Sequence, residues 1–224
     1  MLEFSIAKAK EIAGSLGFPS KMPGTAYGIP AKACKTGSKL ALVDGTVCFD
    51  CYALKGNYTF PSVAIAQTKR MAAIDNPNWV PAMVKMLRGA HGLDGRKPHA
   101  SVKDPGYHRW HDSGDVQSVS HLKAICNVAE GTPELEHWVP TKELKILKAF
   151  IAAGHTLPGN VTVRLSAYNL DAAPSKGWHL TSTVYTVAPR EGAHVCPAYK
   201  QDGQCGACRA CWSRDVQEVA YPKH

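Results

Sequence analysis

The chain has 224 residues, a formal net charge of +8 and 45% hydrophobic residues, and no charge run or Ser/Gly/Pro-rich linker divides it. This length can bury a single core, and no stretch approaches the roughly 18 apolar residues that a membrane span requires. The N-terminal residues lack the apolar core and cleavage site of a signal peptide, so we expect a cytoplasmic protein that does not enter a membrane.

The N-terminal quarter of the chain predicts a short helix and then a long loop. Phe4 to Leu16 has an incomplete apolar face and stops at Gly17. The following residues are rich in Gly, Pro and short polar side chains, which predicts an ordered loop shaped by what it binds. Cys34, Cys48 and Cys51 lie in this loop.

Three thiolates in this arrangement can hold three irons of a cubane cluster and leave the fourth iron open to a ligand. The alternative is an inert, buried Cys34 beside a C-x2-C pair, Cys48 and Cys51, that contributes to one shared metal site.

The middle of the chain predicts parallel β-sheet. Strand and helix patterns alternate there, as expected of right-handed crossovers, and the units are too few for a full eight-stranded barrel. The fold class is therefore α/β, a partial (open) TIM-like barrel or an open parallel sheet. The predicted helices are 61–75, 76–90, 116–131 and 141–154, and the predicted strands are 107–112, 134–140, 161–168 and 181–187.

Polar residues follow the predicted strands, at the positions that line binding sites in parallel α/β folds. They include Thr141, Lys142, Tyr168 and Arg190. We predict that these strand ends form a cofactor-binding rim, where a small-molecule ligand is possible. The predicted rim residues are His111, Asp112, Ser113, Asp115, Arg164, Ser166 and Asn169.

Arg109 and Arg164 occupy matching places near the ends of two predicted strands. If both point toward the rim, they place positive charge where an anionic cluster, carboxylate or phosphate would balance it. The alternative is that they point between strand and helix and pair with carboxylates.

The segment from Cys196 to Trp212 contains four of the eight cysteines. Cys205, Cys208 and Cys211 follow the C-x2-C-x2-C spacing typical of ferredoxins, and Cys196 completes a set of four thiolates. This pattern predicts a [4Fe-4S] site. A four-cysteine zinc site remains an alternative, as do disulfides or free thiols, although a reducing cytosol favours metal.

We expect one domain over 1–224, in which 1–60 is the helix and cysteine loop, 61–190 the partial barrel, and 191–224 a cysteine-rich, irregular, cluster-binding tail. Binding of one four-thiolate and one three-thiolate cluster would lower the formal charge of +8 to about +5. The lysines form no basic block, which disfavours a dedicated nucleic-acid site without excluding one.

Several motifs together resemble the phage protein family called gene product 88. They are CFDCYA, RWHDSGDVQS, HWVPTKE, VRLSAYN, CPAYKQDGQCGACRACW and VAYPKH, and the resemblance runs from about Cys34 to His224. It implies location in the host cytoplasm.

That family is similar in turn to radical S-adenosylmethionine (SAM) proteins, which carry a three-cysteine [4Fe-4S] cluster at the mouth of a partial TIM barrel. The similarity implies that Cys34, Cys48 and Cys51 form this site, with SAM as a ligand, and that Cys196, Cys205, Cys208 and Cys211 hold an auxiliary cluster. The spacing differs from the usual C-x3-C-x2-C, since thirteen residues separate Cys34 from Cys48, and no Gly-Gly-Glu follows a second strand.

Two functions from different classes remain. The first is a redox enzyme or radical SAM relative, in which an open iron at the Cys34, Cys48 and Cys51 site coordinates a small molecule and the C-terminal cluster passes it electrons. The second is a non-catalytic iron-sulfur or zinc protein whose metal ties the tail to the barrel and whose surface binds a host protein or nucleic acid.

Overall fold

The computed structural model describes residues 5–223 and shows an α/β architecture with parallel pairing between all neighbouring strands. The strands of the described residues are β1 Thr25–Tyr27, β2 Tyr107–Trp110, β3 Glu136–Thr141, β4 Val161–Ser166, β5 Thr181–Tyr185, β6 His194–Val195 and β7 Glu218–Pro222. The six α-helices are α1 Ile6–Ala13, α2 Gly37–Leu40, α3 Pro61–Ala73, α4 Trp79–Ala90, α5 Val119–Glu130 and α6 Leu144–Ala152.

Local sequence explains where several helices begin and end. Ser5 precedes α1 and Ser118 precedes α5, and each hydroxyl accepts a hydrogen bond from the backbone N–H three residues later. Pro61 opens α3, where its missing N–H costs nothing. Gly14, with φ +76°, ends α1 in a conformation that other residues rarely adopt.

The sheet has the order β1-β2-β3-β4-β5-β7-β6 and is open. Neighbours follow chain order from β1 to β5, as right-handed crossovers on one side of a sheet require. The order then changes because β7 lies between β5 and β6. The C-terminal segment therefore completes the sheet.

One face of the sheet packs against helices, and we call it the helix face. Buried strand residues such as Trp110, Val139 and Val163 share one apolar core with Leu87 of α4 and Leu122 of α5. This core accounts for the apolar alternation within the strands.

The opposite face, the cysteine face, carries side chains of a different kind. In parallel sheets, residues paired in register point to the same side, so the pairs Arg109–Trp138 and Trp138–Thr162 define this face. Arg164 lies two residues after Thr162 and points the same way. Trp138 packs there with Met22 and Trp212, from two loops.

The predicted parallel sheet is confirmed, and the structure corrects its extent. The N-terminal loop contains β1, and the tail predicted to be irregular contains β6 and β7, so that prediction is wrong for residues 194–195 and 218–222. These strands are short and acquire their hydrogen bonds only from neighbours distant in sequence. No helix within residues 5–223 combines the length and the apolar character needed to span a membrane.

Candidate functional site

The first candidate site is the N-terminal cysteine group, which we define as Cys34, Cys48 and Cys51. All three line one cavity of about 170 Å³, together with Lys32 and Ser38. Short helical turns position two of them, because Cys34 ends the turn Ala31–Ala33 and Cys51 begins the turn Tyr52–Leu54. The fold thus brings together cysteines that lie up to 17 residues apart in the chain.

Gly37 forms one wall of this cavity. A Cβ atom at this position would lie 3.1 Å from Cys34 Cβ, 3.4 Å from Cys48 Sγ and 3.6 Å from Cys34 Sγ. Two sulfur atoms therefore face the surface that this glycine leaves free. A side chain there would crowd any group bound between them.

A carboxylate holds the loop of this group against the end of β3. Glu143 Oε1 accepts from Thr36 N at 2.7 Å, and Glu143 Oε2 accepts from the Thr36 hydroxyl at 2.8 Å. Asp115 accepts from the Thr141 hydroxyl at 2.6 Å and from Lys142 N at 2.9 Å. Both carboxylates are buried. Glu143 fixes the loop next to the cysteines, and Asp115 fixes the end of β3.

Lys142 is a cation that interacts electrostatically with the N-terminal cysteine group. Its ammonium donates to Ala167 O at 2.6 Å. Burial lowers the pKa of Lys142, while nearby Cys48 and Asp115 oppose that change. Burial raises the pKa of Cys34, and Asp115 and the other two cysteines of the group raise it further. Mutual repulsion of this kind shows that the thiol groups share one local environment.

The second candidate site is the C-terminal cysteine group, which we define as Cys196, Cys205, Cys208 and Cys211. Cys196 follows β6, and its backbone N–H donates to Ala220 O of β7 at 2.9 Å. The other three lie on the loop between β6 and β7, where Cys205 and Cys211 pack against Trp138 and Trp212.

The cysteines of the C-terminal cysteine group also affect one another's pKa. Burial raises the pKa of Cys205, and Cys196 and Cys208 add to that rise. Burial likewise raises the pKa of Cys211 to about 12, and the charges of Arg109 and Arg164 oppose the rise. Cys196, Cys205, Cys208 and Cys211 thus lie near enough to affect one another's pKa, and Arg109 and Arg164 also act on Cys211.

Arg164 anchors the loop that carries Cys211. Its side chain is completely buried, and its guanidinium donates to Ala210 O at 2.8 Å, Cys211 O at 3.0 Å, Ser213 O at 2.6 Å and Val216 O at 2.7 Å. It also donates to Thr181 O and Gln217 O, at 3.3 and 3.4 Å. None of the ion pairs within residues 5–223 includes Arg164.

Arg109 lies between the two cysteine groups. Its Nη2 donates to the hydroxyl of Tyr52, the residue after Cys51, at 3.0 Å. Its guanidinium lies 4.5 Å from the centre of the Trp138 ring. Arg109 Nε and Trp138 Nε1 are buried donors without an acceptor in the described part of the chain. Both arginines therefore point to the cysteine face, and the alternative of strand-to-helix placement is wrong.

Two side chains contact sulfur atoms of the C-terminal cysteine group. The Tyr221 hydroxyl lies 3.0 Å from Cys211 Sγ, and His194 Nε2 lies 3.4 Å from Cys208 Sγ. Trp212 is buried, and its indole N–H donates to His108 O at 2.8 Å, while its carbonyl accepts from the Thr162 hydroxyl at 2.6 Å. These contacts attach the loop to β2, β4 and β7.

The predicted rim residues after β2 divide into two groups. Asp115 fixes the end of β3, as described. His111 is buried with φ +55°, its ring lies 5.4 Å from that of His121 in α5, and both of its nitrogens lack partners among residues 5–223. Asp112 Oδ2 lies 3.3 Å from the Tyr58 hydroxyl, and the Ser113 hydroxyl is buried without a partner in the same range.

The predicted rim residues after β4 have separate surroundings. Ser166 accepts from the Ser182 hydroxyl at 3.2 Å. Asn169 is exposed, and its backbone forms an antiparallel bridge with Thr46 that ties the N-terminal cysteine loop to the sheet. Of the predicted cofactor-binding residues, Asp115 and Arg164 thus lie closest to the cysteine groups.

Sequence reasoning missed Gly37, Glu143 and Tyr221. The first two carry no motif that distinguishes them from a loop glycine and a helix-start glutamate. Tyr221 belongs to an apolar segment directly after the cysteines, which could have indicated a strand. Within residues 5–223, no group of three or more His, Cys, Asp or Glu side chains is placed to hold a single metal ion.

Fold and site together define an α/β protein with an open parallel sheet, one group of cysteines in a loop held next to the end of β3 and another at the cysteine face. Comparison with family models gives a match to gene product 88 over residues 3–214. The chain therefore belongs to the gene product 88 family, and the resemblance is confirmed, although the matched range begins earlier and ends earlier than the motifs indicated. No curated protein and no solved structure matches the chain.

Proposed function

We propose that this chain is an iron-sulfur protein whose C-terminal cysteine group binds a [4Fe-4S] cluster. The observation that carries this proposal is Arg164, a buried guanidinium whose hydrogen bonds within residues 5–223 all go to backbone carbonyl groups, including those of Cys211 and Ala210. Burying a charge is costly unless an opposite charge compensates for it. Four thiolates around a [4Fe-4S] core carry a net charge of about −2, which supplies that compensation.

The other donors on the cysteine face support the same proposal. Arg109 Nε and Trp138 Nε1 are buried without acceptors in the described residues, and sulfide and thiolate sulfurs accept hydrogen bonds from such groups. Trp212 would shield the cluster from water. Shielding, charge and hydrogen bonds of this kind adjust a cluster's reduction potential.

We further propose that the N-terminal cysteine group binds a second cluster with three thiolates, leaving one iron open to a small molecule. The cavity of about 170 Å³ and the free surface of Gly37 provide the space. Lys142 provides a positive charge beside the thiolates.

In this proposal, the open sheet is a partial TIM-like barrel related to those of radical SAM proteins. The unbroken order from β1 to β5 and the helices packed on one face support that relationship. SAM is then the first small molecule to test at the N-terminal cysteine group, and redox or radical chemistry is the reaction class. A fold relationship alone does not establish the reaction.

The decisive experiment is anaerobic purification with iron, acid-labile sulfide and zinc counted per chain. Two clusters give about eight iron and eight sulfide per chain, and one cluster gives about four of each. A visible spectrum recorded with and without SAM tests the open iron. Colourless protein with zinc or without metal would overturn the proposal, and iron without a SAM-dependent change would remove only SAM.

A second candidate function, a metal-stabilised protein that binds a macromolecular partner, is favoured by one observation. Exposed large apolar side chains concentrate around the N-terminal cysteine group, at Leu42, Val43, Phe49, Tyr52, Leu54, Phe60 and Ile65. Such concentrations mark interaction surfaces. Under this function, changing Phe49 and Leu42 to serine would abolish partner binding without changing the metal content, and SAM would leave the spectrum unchanged.

A further inference from the structure

Another cavity lies away from the cysteines, between α1, the end of α4 and the loop that follows α4, and we call it the α1–α4 cavity. Its volume is about 260 Å³, just below the usual range of small-molecule sites, which suits a small ligand. It shares no lining residue with the cavity of the N-terminal cysteine group, and no cysteine lines it. Any ligand bound there would be independent of the metal content of the protein.

The packing of α1 on α4 explains why this space exists. Ala9 and Ala13 of α1 are completely buried and share one core with Met83 and other residues of α4. Near the end of α4, Gly89 supplies no side chain. A Cβ atom there would lie 2.9 Å from Ile6 Cδ1 and 2.6 Å from Arg96 Nη2. Gly89 therefore leaves room for two side chains that line the cavity.

The loop after α4 is fixed by hydrogen bonds, so the cavity wall that it supplies is preformed. His99 N donates to Ala90 O at 2.9 Å, and Leu93 N donates to Arg88 O at 2.8 Å. The ring of His99 stacks on that of Phe18, with 4.2 Å between the ring centres. A preformed site loses less conformational entropy when a ligand binds.

The lining of the α1–α4 cavity combines apolar side chains with positive charge. Leu16 and Met86 are buried apolar residues of the lining. The charged residues of the lining are Lys10 and Arg96, and no Asp or Glu within residues 5–223 lines the cavity. Arg96 pairs with Asp94, whereas Lys10 belongs to no ion pair in the described part of the chain.

We propose that the α1–α4 cavity binds a small carboxylic acid with an apolar body, whose carboxylate pairs with Lys10. The apolar body lies against Leu16 and Met86, where binding removes apolar surface from water. The hydroxyl of Ser15, which also lines the cavity, is a further donor for the carboxylate. One uncompensated cation matches a monoanion, whereas a doubly charged phosphate would carry more negative charge than Lys10 balances.

The test uses octanoate as the probe and saturation-transfer NMR on the full chain, purified anaerobically. Octylammonium, which has the same chain length and the opposite charge, is the control ligand. Octanoate should bind in a saturable way, and octylammonium should bind more weakly. An absence of octanoate binding, or equal binding of the two probes, overturns the proposal.

Two variants test the location of the site. Lys10→Gln should raise the Kd for octanoate about two- to fivefold, the range expected for an exposed ion pair. Lys8→Gln is the matched control, since Lys8 lies on the same helix, pairs with Glu11 and does not line the cavity. An unchanged Kd in Lys10→Gln, or an equal rise in Lys8→Gln, overturns the pairing with Lys10.

Ser15→Trp tests the cavity itself. Ser15 is exposed, so the substitution should leave the midpoint of urea unfolding unchanged, while the large ring fills space between α1 and α4. Octanoate binding should then be lost. Wild-type affinity in Ser15→Trp overturns the assignment of the ligand to this cavity.

Discussion

The two cysteine groups are built in different ways. The N-terminal group lies in a loop whose short turns surround a cavity, and Glu143, just after β3, fixes that loop through two hydrogen bonds from Thr36. The C-terminal group lies on a loop between two strands of the sheet, and Arg164 joins that loop to β4 through five carbonyl contacts. The N-terminal cysteine group lines a cavity in a loop. The C-terminal cysteine group packs against side chains of the sheet.

This difference indicates different consequences for stability. Metal bound to a loop that packs against the sheet contributes to folding as well as to chemistry. Metal bound in a peripheral cavity can be lost while the sheet remains intact. The following variants test that distinction, beginning with the largest expected effect.

Arg164→Met should have the largest effect, because it removes a donor from six backbone carbonyls, of which Gln217 O and Ala210 O keep a backbone N–H donor, from Thr181 and Ser213. Each buried acceptor without a partner costs about 1–3 kcal/mol, so we expect a loss of about 3 kcal/mol or more after relaxation. Urea unfolding followed by tryptophan fluorescence measures it, with metal content determined in parallel. Arg214→Met is the control, since Arg214 is exposed and donates to two carbonyls, Pro158 O and Val161 O, so it should cost less than Arg164→Met. Equal stability of Arg164→Met and wild type would contradict the packing role.

Cys208→Ser and Cys51→Ser should differ in how metal loss affects the fold. Each should lose about four irons per chain. Only Cys208→Ser should make residues 196–217 accessible to protease, because only that loop connects two strands of the sheet and packs against it. Limited proteolysis with mass spectrometry measures the cleavage sites, and equal resistance of both variants would show that the two groups do not differ in this respect.

Gly37→Ala should remove the N-terminal cluster without unfolding the protein. The added Cβ would lie 3.1 Å from Cys34 Cβ and 3.4 Å from Cys48 Sγ, on the surface left free for a bound group. Alanine is a better helix former than glycine, so stability should change by less than about 1 kcal/mol. Gly159→Ala is the control, because nothing lies within 4 Å of its Cβ position. Full iron content in Gly37→Ala would show that the cavity holds no cluster.

Glu143→Gln should have the smallest effect. Glutamine keeps one acceptor for Thr36 and removes one negative charge near Cys34. We expect a loss of about 1 kcal/mol, measured by the same urea unfolding. A free energy of unfolding equal to that of wild type would contradict the role of Glu143 in fixing the loop at Thr36.

Much of the fold could be predicted from local patterns. The helices 61–75 and 116–131 and the strands around Arg109 and Arg164 carry clear periodicity or β-rich composition, and the structure places elements at each. β1 was missed because Thr25–Tyr27 is only three residues long and lies next to Gly24 and Gly28. Such a strand is defined by its partner, β2.

The candidate site was predictable in its cysteines but not in its surroundings. Close cysteine spacing, as in Cys205, Cys208 and Cys211, is a local property that sequence records directly. Glu143 and Tyr221 reach the cysteine groups only through contacts made by distant strands. His111 followed the rule for strand ends, yet its ring lies beside His121, because its positive φ turns the chain there.

The sequence by itself determined the family, the parallel α/β class and the two sets of cysteines, because short-range spacing and periodicity encode them. Only the tertiary structure decided that the C-terminal segment enters the sheet, that Arg164 points to the cysteine face and that different charges surround the two groups. The physical reason is that sheet pairing and electrostatic environment depend on residues far apart in the chain, whose positions local patterns do not specify.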